Sequence, residues 1–209
     1  MAIPTIVDRL TLEQAVQSQF TSTTGVEYTL TAIALVEADI NTRVRVRHQM
    51  GRSRADLSDQ FTAWPSDCLG MVGIQLNTNP VRKLEFLKPD MMDVKRSEYS
   101  SVGVPQFFSI IADEIELLPA PDDTYQAELT YYKRLDALDA DGATNWLVTY
   151  YPHIYFTGTA AKVAEYIGDA RATFWGGQYS DLLESLIIED SQSRYPSGSL
   201  NAYPKQAFS

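Results

Sequence analysis

The spacing of apolar residues divides the chain into a helical part, a part with strand periodicity and a second helical part. The pattern is helical up to about Arg54, and the capping-box spacing of Thr11 and Gln14 predicts a short helix over residues 12–20. A longer helix is predicted over residues 28–47. Its apolar stripe recurs at steps of three and four, at Leu30, Ile33, Val36, Ile40 and Val44.

Strand periodicity replaces the helical pattern from about Trp64 to Leu135. The predicted strands cover residues 69–76, 81–87, 105–111, 115–118 and 125–135. Residues 112–114 form a tight hairpin turn, and residues 119–123 form a loop because two prolines cannot both continue a ladder. In the last strand, Tyr125, Ala127, Leu129 and Tyr131 share one face, which predicts a half-buried antiparallel strand.

The helical pattern returns after a turn at residues 139–142. Pro152 suits the first position of a helix, since it lacks the N–H that such a position cannot use. The apolar stripe of this helix is Phe156, Ala160, Val163, Ala164 and Ile167. Gly168 interrupts it, and a second stripe runs from Trp175 to Leu186. The pair Gly176–Gly177 predicts a bend or a poorly formed first turn there.

The regular pattern stops at residue 191. Residues 191–209 are therefore predicted to form an extended C-terminal arm without a core of its own. The arm carries four large apolar side chains: Tyr195, Leu200, Tyr203 and Phe208. Because the arm cannot bury them internally, we expect them to dock on another surface.

These elements predict a fold of the α+β class. Residues 1–60 and 140–190 are expected to form a helical bundle. A small antiparallel β-sheet domain, residues 61–139, is inserted between the second and third helices of that bundle. The arm, residues 191–209, completes the predicted organisation.

Composition narrows the possible functions. The 209 residues include 27 acidic and 17 basic side chains, a net charge of −10, which argues against wrapping duplex DNA by counterion release. The single cysteine, Cys68, excludes an intramolecular disulfide and an all-cysteine metal site. The first ten residues lack the apolar segment of a secretory signal, and no stretch approaches the ~20 apolar residues of a membrane span. We expect a soluble protein made in a reducing cytoplasm, with no membrane partner.

Residues that could carry chemistry are few. His153 lies among tyrosines without a recognisable nucleophile, and His48 is interpreted as a partner for the dipole at a helix C-terminus. Residues 139–142 begin like a calcium loop but lack the further oxygen ligands that such a loop needs. Glycine-rich phosphate loops are absent, and Cys68 is expected to be a buried structural thiol. The sequence therefore predicts no catalytic residue, no cofactor and no metal site.

The most unusual local feature is a group of five arginines within twelve positions that contain no acid: Arg43, Arg45, Arg47, Arg52 and Arg54. They are open to three interpretations: contact with phosphate, a subunit-interface patch that meets an acidic neighbour such as another copy of this chain, or a solvated helix end. The acidic chain and the lack of interleaved aromatic residues weigh against binding of single-stranded nucleic acid.

An ordered set of short motifs runs along the chain. They are Glu37–Arg43, Trp64–Asp67, Gly103–Pro105, Leu118–Pro121, Leu129–Tyr132, Asn145–Leu147, Tyr151–Tyr155 and Trp175–Tyr179. Over about residues 5–190 the set resembles the head-to-tail adaptor (connector) proteins of short-tailed bacteriophages and prophages. Asn145–Leu147, with Pro152 and Tyr155 after it, is the most specific part. The glycine pair after Trp175 departs from the plain helix of that family.

The resemblance implies a non-enzymatic structural protein of the phage neck. Such adaptors form a dodecameric ring beneath the portal, extend the DNA channel and support the tail nozzle or tail-tube protein. It also implies assembly in the host cytoplasm, a final position at the head–tail junction of the virion, and docking of the arm on the portal. A net charge of −10 would suit a channel wall that repels phosphate, so that DNA passes during ejection without sequence-specific binding.

Three other functions stay open on the sequence. The first is another virion connector, such as a head-completion or tail-terminator protein. The second is a hydrolase with an unrecognised site, which needs two carboxylates at a fixed separation that the pattern does not nominate among 27 acids. The third is a DNA-binding module that uses Arg43–Arg54.

Overall fold

The computed structural model describes residues 5–99 and 101–193, which divide into two compact units. A helical unit contains the described residues up to Val46 and those from Ala137 onward, and a β unit spans Arg47–Asp136. The mixture of helices and strands agrees with the predicted class. The divisions fall at 46/47 and 136/137, whereas the sequence pattern places them at 60/61 and 139/140.

The described helices are α1 (Arg9–Gln17), α2 (Thr23–Arg43), α3 (Pro89–Arg96), α4 (Trp146–Tyr150), α5 (Pro152–Ile167) and α6 (Ala172–Ser193). All except α3 belong to the helical unit. At its centre lies α5, which packs against α1, α2, α4 and α6. Its buried residues include Ile154, Tyr155 and Val163, so this helix supplies much of the core of the unit. Pro152 is the first residue of α5, as predicted, and Gly168 ends the helix in the left-handed region with φ 71°.

The first two helices begin earlier than the sequence pattern indicates. The N-cap of α1 is Asp8, whose carboxylate accepts a hydrogen bond from the Thr11 N–H at 2.8 Å while the Thr11 hydroxyl accepts one from the Asp8 N–H. Thr11 is therefore the third helical residue and not the cap. Ser22 caps α2, which ends at Arg43 and leaves Leu30 exposed.

The predicted bend at Gly176–Gly177 is wrong, because α6 continues through both glycines from Ala172. Each glycine costs about 1 kcal/mol relative to alanine in a helix. Packing of α6 on α5, through buried residues such as Tyr179 and Leu183, offsets that cost. Residues 191–193, predicted to belong to the arm, form the last turn of α6, and the rest of the arm lies outside the described residues.

Among its described residues, the β unit contains eight strands: β1 (Met50–Leu57), β2 (Phe61–Ala63), β3 (Cys68–Leu76), β4 (Arg82–Lys83), β5 (Glu85–Phe86), β6 (Phe107–Ile111), β7 (Glu114–Leu118) and β8 (Tyr125–Lys133). They form two sheets in the orders β1-β8-β3-β4 and β2-β7-β6-β5. All pairs are antiparallel except β5–β6. Both sheets contribute to one apolar core, with Ile74, Leu117 and Leu129 among its buried members.

Two predictions fail in the β unit. Residues 50–54, predicted to be helical, belong to β1, which pairs with β8 along its whole length. The apolar period of this stretch is weak, so pairing with a neighbouring strand decides its structure. The strand predicted over residues 81–87 is divided between β4 and β5, which lie in different sheets on either side of the buried Leu84.

The hairpin prediction is confirmed, since β6 and β7 pair antiparallel across Ala112–Asp113. The strand β8 also has the predicted faces: Ala127, Leu129 and Tyr131 are buried and alternate with more exposed residues. Period-two alternation is therefore a reliable signal where one face of a strand covers a core.

Ala112 generates a prediction about this hairpin. It has φ 51°, in the left-handed region where a Cβ atom costs roughly 1–2 kcal/mol. We expect Ala112→Gly to raise the free energy of unfolding by about 0.5–1 kcal/mol, measured by urea denaturation. The opposite change, Gly168→Ala at φ 71°, should lower the free energy of unfolding by a similar amount. If both substitutions raised the free energy of unfolding, or both lowered it, the prediction would be wrong.

Candidate functional site

The motif Glu37–Arg43 lies in the second half of α2 and contributes a buried carboxylate. Glu37 is only 9% exposed. Its Oε1 accepts hydrogen bonds from the backbone N–H of Leu138 at 2.8 Å and from the hydroxyl of Tyr155 at 3.1 Å. This single side chain therefore joins α2 to the point where the chain re-enters the helical unit and to α5.

The motif Asn145–Leu147 reaches the same place. The Oδ1 atom of Asn145 caps α4 by accepting from the N–H groups of Leu147 and Val148, at 3.1 and 3.0 Å. Its amide donates to the Tyr155 hydroxyl at 2.8 Å. Two neighbouring motifs thus meet the distant motif Glu37–Arg43 in one buried Glu37–Tyr155–Asn145 network of hydrogen bonds.

Burial sets the electrostatics of this network. It raises the pKa of the Glu37 carboxyl, and the bonds from Leu138 and Tyr155 oppose that shift only in part. It also raises the pKa of Tyr155, with the nearby Glu37 charge as a further cause, so the phenol stays protonated and donates. The network joins α2, α4 and α5 inside the helical unit, so its role is structural.

A second polar cluster lies between α2 and α6. The Tyr179 hydroxyl donates to Oδ2 of Asp39 at 2.9 Å, and Asp39 also forms an ion pair with Arg43 at 3.2 Å. Burial and the bond to Asp39 raise the pKa of Tyr179. The Tyr179 ring lies directly over Gly158 of α5, where a Cβ atom would come within 2.8 Å of the ring.

A groove of about 570 Å³ opens above this cluster, with walls from α2 and α6 and a floor from α5. Leu35 and Arg43 line one wall, Lys162 and Glu165 the floor, and Gly176 the other wall. The Asp39 carboxylate and the Arg43 guanidinium are already paired across one turn of α2. The lining therefore combines acidic, basic and apolar side chains.

The motif Trp64–Asp67 has a structural role in the β unit. The Trp64 indole N–H donates to the carbonyl of Cys68 at 3.0 Å, and the Tyr131 hydroxyl donates to Asp67 Oδ1 at 3.1 Å. The Asp67 carbonyl also accepts from the N–H of Arg134 at 2.7 Å. These bonds fix the start of β3 against the end of β8. The Cys68 thiol is buried, as expected for a structural cysteine.

The five arginines fall in different elements. Arg43 and Arg45 belong to the helical unit, and Nη1 of Arg45 donates to the carbonyls of Asn41 and Val44 at the end of α2. The other three, Arg47, Arg52 and Arg54, belong to the β unit, where the last two lie on β1. Arg52 forms a 3.4 Å ion pair with Glu128 while its side chain stays 74% exposed.

The two histidines lie in helical turns of different units. His153 is exposed at the start of α5, with its ring edge-on to Tyr151 at 6.2 Å, and His48 lies in a 3-10 turn at Arg47–Gln49. Residues 139–142 form the predicted turn, with Asp141 paired to Arg9 of α1. Tyr195, Leu200, Tyr203 and Phe208 lie outside the described residues.

No group of three or more His, Cys, Asp or Glu side chains in residues 5–99 and 101–193 is arranged to hold a metal ion. Over the same residues, no helix combines the length and the apolar character needed to cross a membrane.

Glu37, Asn145 and Tyr155 each lie inside a motif of the sequence, but the pattern does not predict that they meet. One signal was available, because Glu37 lies four residues after Ile33 and three before Ile40, on the buried stripe of α2. A carboxylate on an apolar stripe has to find buried donors. Which donors it finds depends on residues more than one hundred positions away.

Comparison with known proteins gives one family. The family model described as SU10 adaptor protein matches residues 6–202, nearly the whole chain. No curated protein is detectably similar in sequence.

Glu37 generates a prediction about pH. Its folded pKa is raised, so the folded state binds this proton more tightly than the unfolded chain, and stability falls as the pH rises from about 4.5 through the raised pKa. We expect Glu37→Gln, whose amide oxygen can accept the same two bonds, to remove that part of the pH dependence. Urea denaturation between pH 4 and pH 8 measures it, and Glu27→Gln on the exposed face of α2 is the control.

The contact between α5 and α6 generates a paired prediction. Gly158→Ala places a Cβ atom 2.8–2.9 Å from two carbons of the Tyr179 ring, and we expect a loss of about 1–3 kcal/mol in unfolding free energy. Gly176→Ala meets nothing within 4 Å and should stabilise α6 by about 0.5–1 kcal/mol. Thermal denaturation compares both with the parent, and a Gly158→Ala protein of parental stability would contradict the close contact.

Proposed function

The chain belongs to the SU10 adaptor protein family, a family of phage head–tail adaptors, and from this premise we propose that it forms a ring in the phage neck. It is a phage adaptor protein that associates with other virion proteins. In the proposed ring, the chain joins the portal to the tail and extends the channel through which DNA passes.

One observation carries this proposal. Several polar residues of the motifs lie inside the protein: Glu37, Asn145 and Tyr155 bond to one another or to the backbone inside the helical unit, and the half-buried Asp67 accepts a hydrogen bond from Tyr131 in the β unit. An enzyme family would be expected to keep its characteristic polar groups in an accessible cleft. Motifs used for internal scaffolding leave the outer surfaces for contacts, which suits a structural subunit.

The helical unit is the part proposed to build the ring, with twelve copies as the expected number. The groove between α2 and α6 supplies an uneven, mixed-charge surface for a lateral contact. The β unit would face neighbouring subunits or the tail nozzle, and the arginines at 43–54 would meet an acidic neighbour. The net charge of −10 supports a channel wall that repels the phosphates of passing DNA.

The C-terminal residues are proposed to dock on the portal. Residues 194–209 contain four large apolar side chains, two basic residues, Arg194 and Lys205, and no acid. Such a segment gains by burying aromatic side chains on a partner, at the cost of becoming ordered there.

Truncation after Ser193 tests this docking. We expect the shortened protein to keep its thermal unfolding transition, because α6 ends there, and to lose binding to purified portal. In the full chain, Tyr203→Ala with Phe208→Ala should weaken binding about tenfold or more, whereas Ser197→Ala with Ser199→Ala should leave it unchanged. Undiminished portal binding by the truncated protein would show that the contact lies elsewhere.

The mass of the assembly tests the ring itself. Native mass spectrometry of the protein alone and with portal measures the number of copies in each complex. A twelvefold complex on the portal supports the proposal, and a complex of one or two copies contradicts it. Another virion connector, such as a tail terminator, would give a ring that does not bind portal directly.

A further inference from the structure

The strand β1 is an unusually long open edge. Each of the two sheets has two edge strands, and three of these four contain only two or three residues: β2, β4 and β5. The fourth, β1, contains eight residues and pairs only with β8 in the part of the chain that the structure describes. Short edges are a common protection against unwanted pairing, so the contrast marks β1 as the edge left available for another strand.

The register shows which backbone groups of β1 are available. The N–H of Asn77 donates to the carbonyl of Gln126, so the backbone groups of Gln126 are directed to the β3 side of β8. The backbone N–H and C=O groups of successive residues in a strand are directed to opposite sides. The groups of Ala127 are therefore directed towards β1, where its partner is Ala55. By the same alternation, the N–H and C=O groups of Arg52, Arg54 and Asp56 are directed outward from the sheet edge.

On one face of β1, two arginines are followed by a single exposed acid, Asp56. Arg52 and Arg54 are both exposed, two residues apart on the face of the sheet that is turned away from the core. Glu128 of β8 lies directly opposite Arg54 in the register and forms an ion pair with Arg52. A strand added on the other side of β1 would bring further cross-strand positions next to both arginines.

We propose that β1 receives an extended acidic segment of another virion protein, which adds to the sheet as a fifth strand. The outward backbone groups at 52, 54 and 56 supply the hydrogen bonds, and acidic side chains at alternate positions of the incoming segment pair with Arg52 and Arg54. The proposal rests on the proposed function only for the origin of the partner. The edge itself is independent of the portal-docking arm.

This chain offers poor candidates for the same place. A second copy of β1 offers only one acid, Asp56, to the two arginines of its neighbour, and the C-terminal residues carry Arg194 and Lys205 without an acid. The acidic stretch Asp122–Asp123 follows Pro119 and Pro121, and proline has no N–H to donate to a ladder. Charge and hydrogen bonding therefore favour a different protein as the partner.

Peptide binding to the full-length protein tests the proposal. The probe is a fluorescent eight-residue peptide with glutamate at alternate positions between threonine and valine, and its matched control has lysine at the same positions. We expect the glutamate peptide to bind about tenfold more tightly or better. Binding should slow hydrogen exchange of the Arg52, Arg54 and Asp56 amides. Equal affinities, no binding, or protection elsewhere would overturn the proposal.

Two variants test the arginine charges and the outward backbone N–H of β1 separately. Arg52→Glu with Arg54→Glu should reverse the preference, so that the lysine peptide binds more tightly. Arg54→Pro removes an outward N–H without removing a bond to β8, and should abolish binding of both peptides while portal binding is kept. A concentration-dependent dimer that protects β1 without peptide would show that a second copy covers this edge, and the proposal would be wrong.

Discussion

Glu37 accepts hydrogen bonds from residues 101 and 118 positions further along the chain, and the helical unit depends on that arrangement. The unit is made of two separate stretches, with the whole β unit between them in the sequence. The N–H of Leu138 belongs to the second residue after the chain returns, so its bond to Glu37 fixes the point of return against α2. The Tyr155 hydroxyl then connects the same carboxylate to the helix at the centre of the unit.

Burying the Glu37 carboxylate costs free energy, which explains why hydrogen-bond donors surround it. A buried carboxylate without partners would be strongly unfavourable, and the raised pKa of Glu37 shows that the desolvation is only partly offset. An apolar residue at this position would leave the Leu138 N–H and the Tyr155 hydroxyl without an acceptor. The observed closure of the interrupted unit gives the Leu138 N–H and the Tyr155 hydroxyl a buried acceptor, so these bonds favour it over arrangements that leave the two donors unpaired.

The two units make different surfaces available for assembly. In the helical unit, the groove between α2 and α6 is bordered by residues that are already engaged with one another, such as Asp39 with Arg43 and Tyr179. In the β unit, β1 leaves the backbone groups of Arg52, Arg54 and Asp56 without a neighbouring strand on one side among the described residues. An adaptor that contacts partners of different kinds benefits from such a division, since a preformed groove suits a folded neighbour and an open strand edge suits an extended segment.

The sequence by itself determined the elements whose apolar period is strong: β3, the β6–β7 hairpin, β8 and α5, together with the turn at 139–142. It also indicated the family, through motifs in a fixed order. Tertiary structure decided the rest. Glycines 176 and 177 remain helical because α6 packs on α5, and residues 50–57 form a strand because β8 lies beside them. The meeting of Glu37, Asn145 and Tyr155 was likewise decided by the fold, since local pattern carries no information about which distant donors a buried carboxylate will reach.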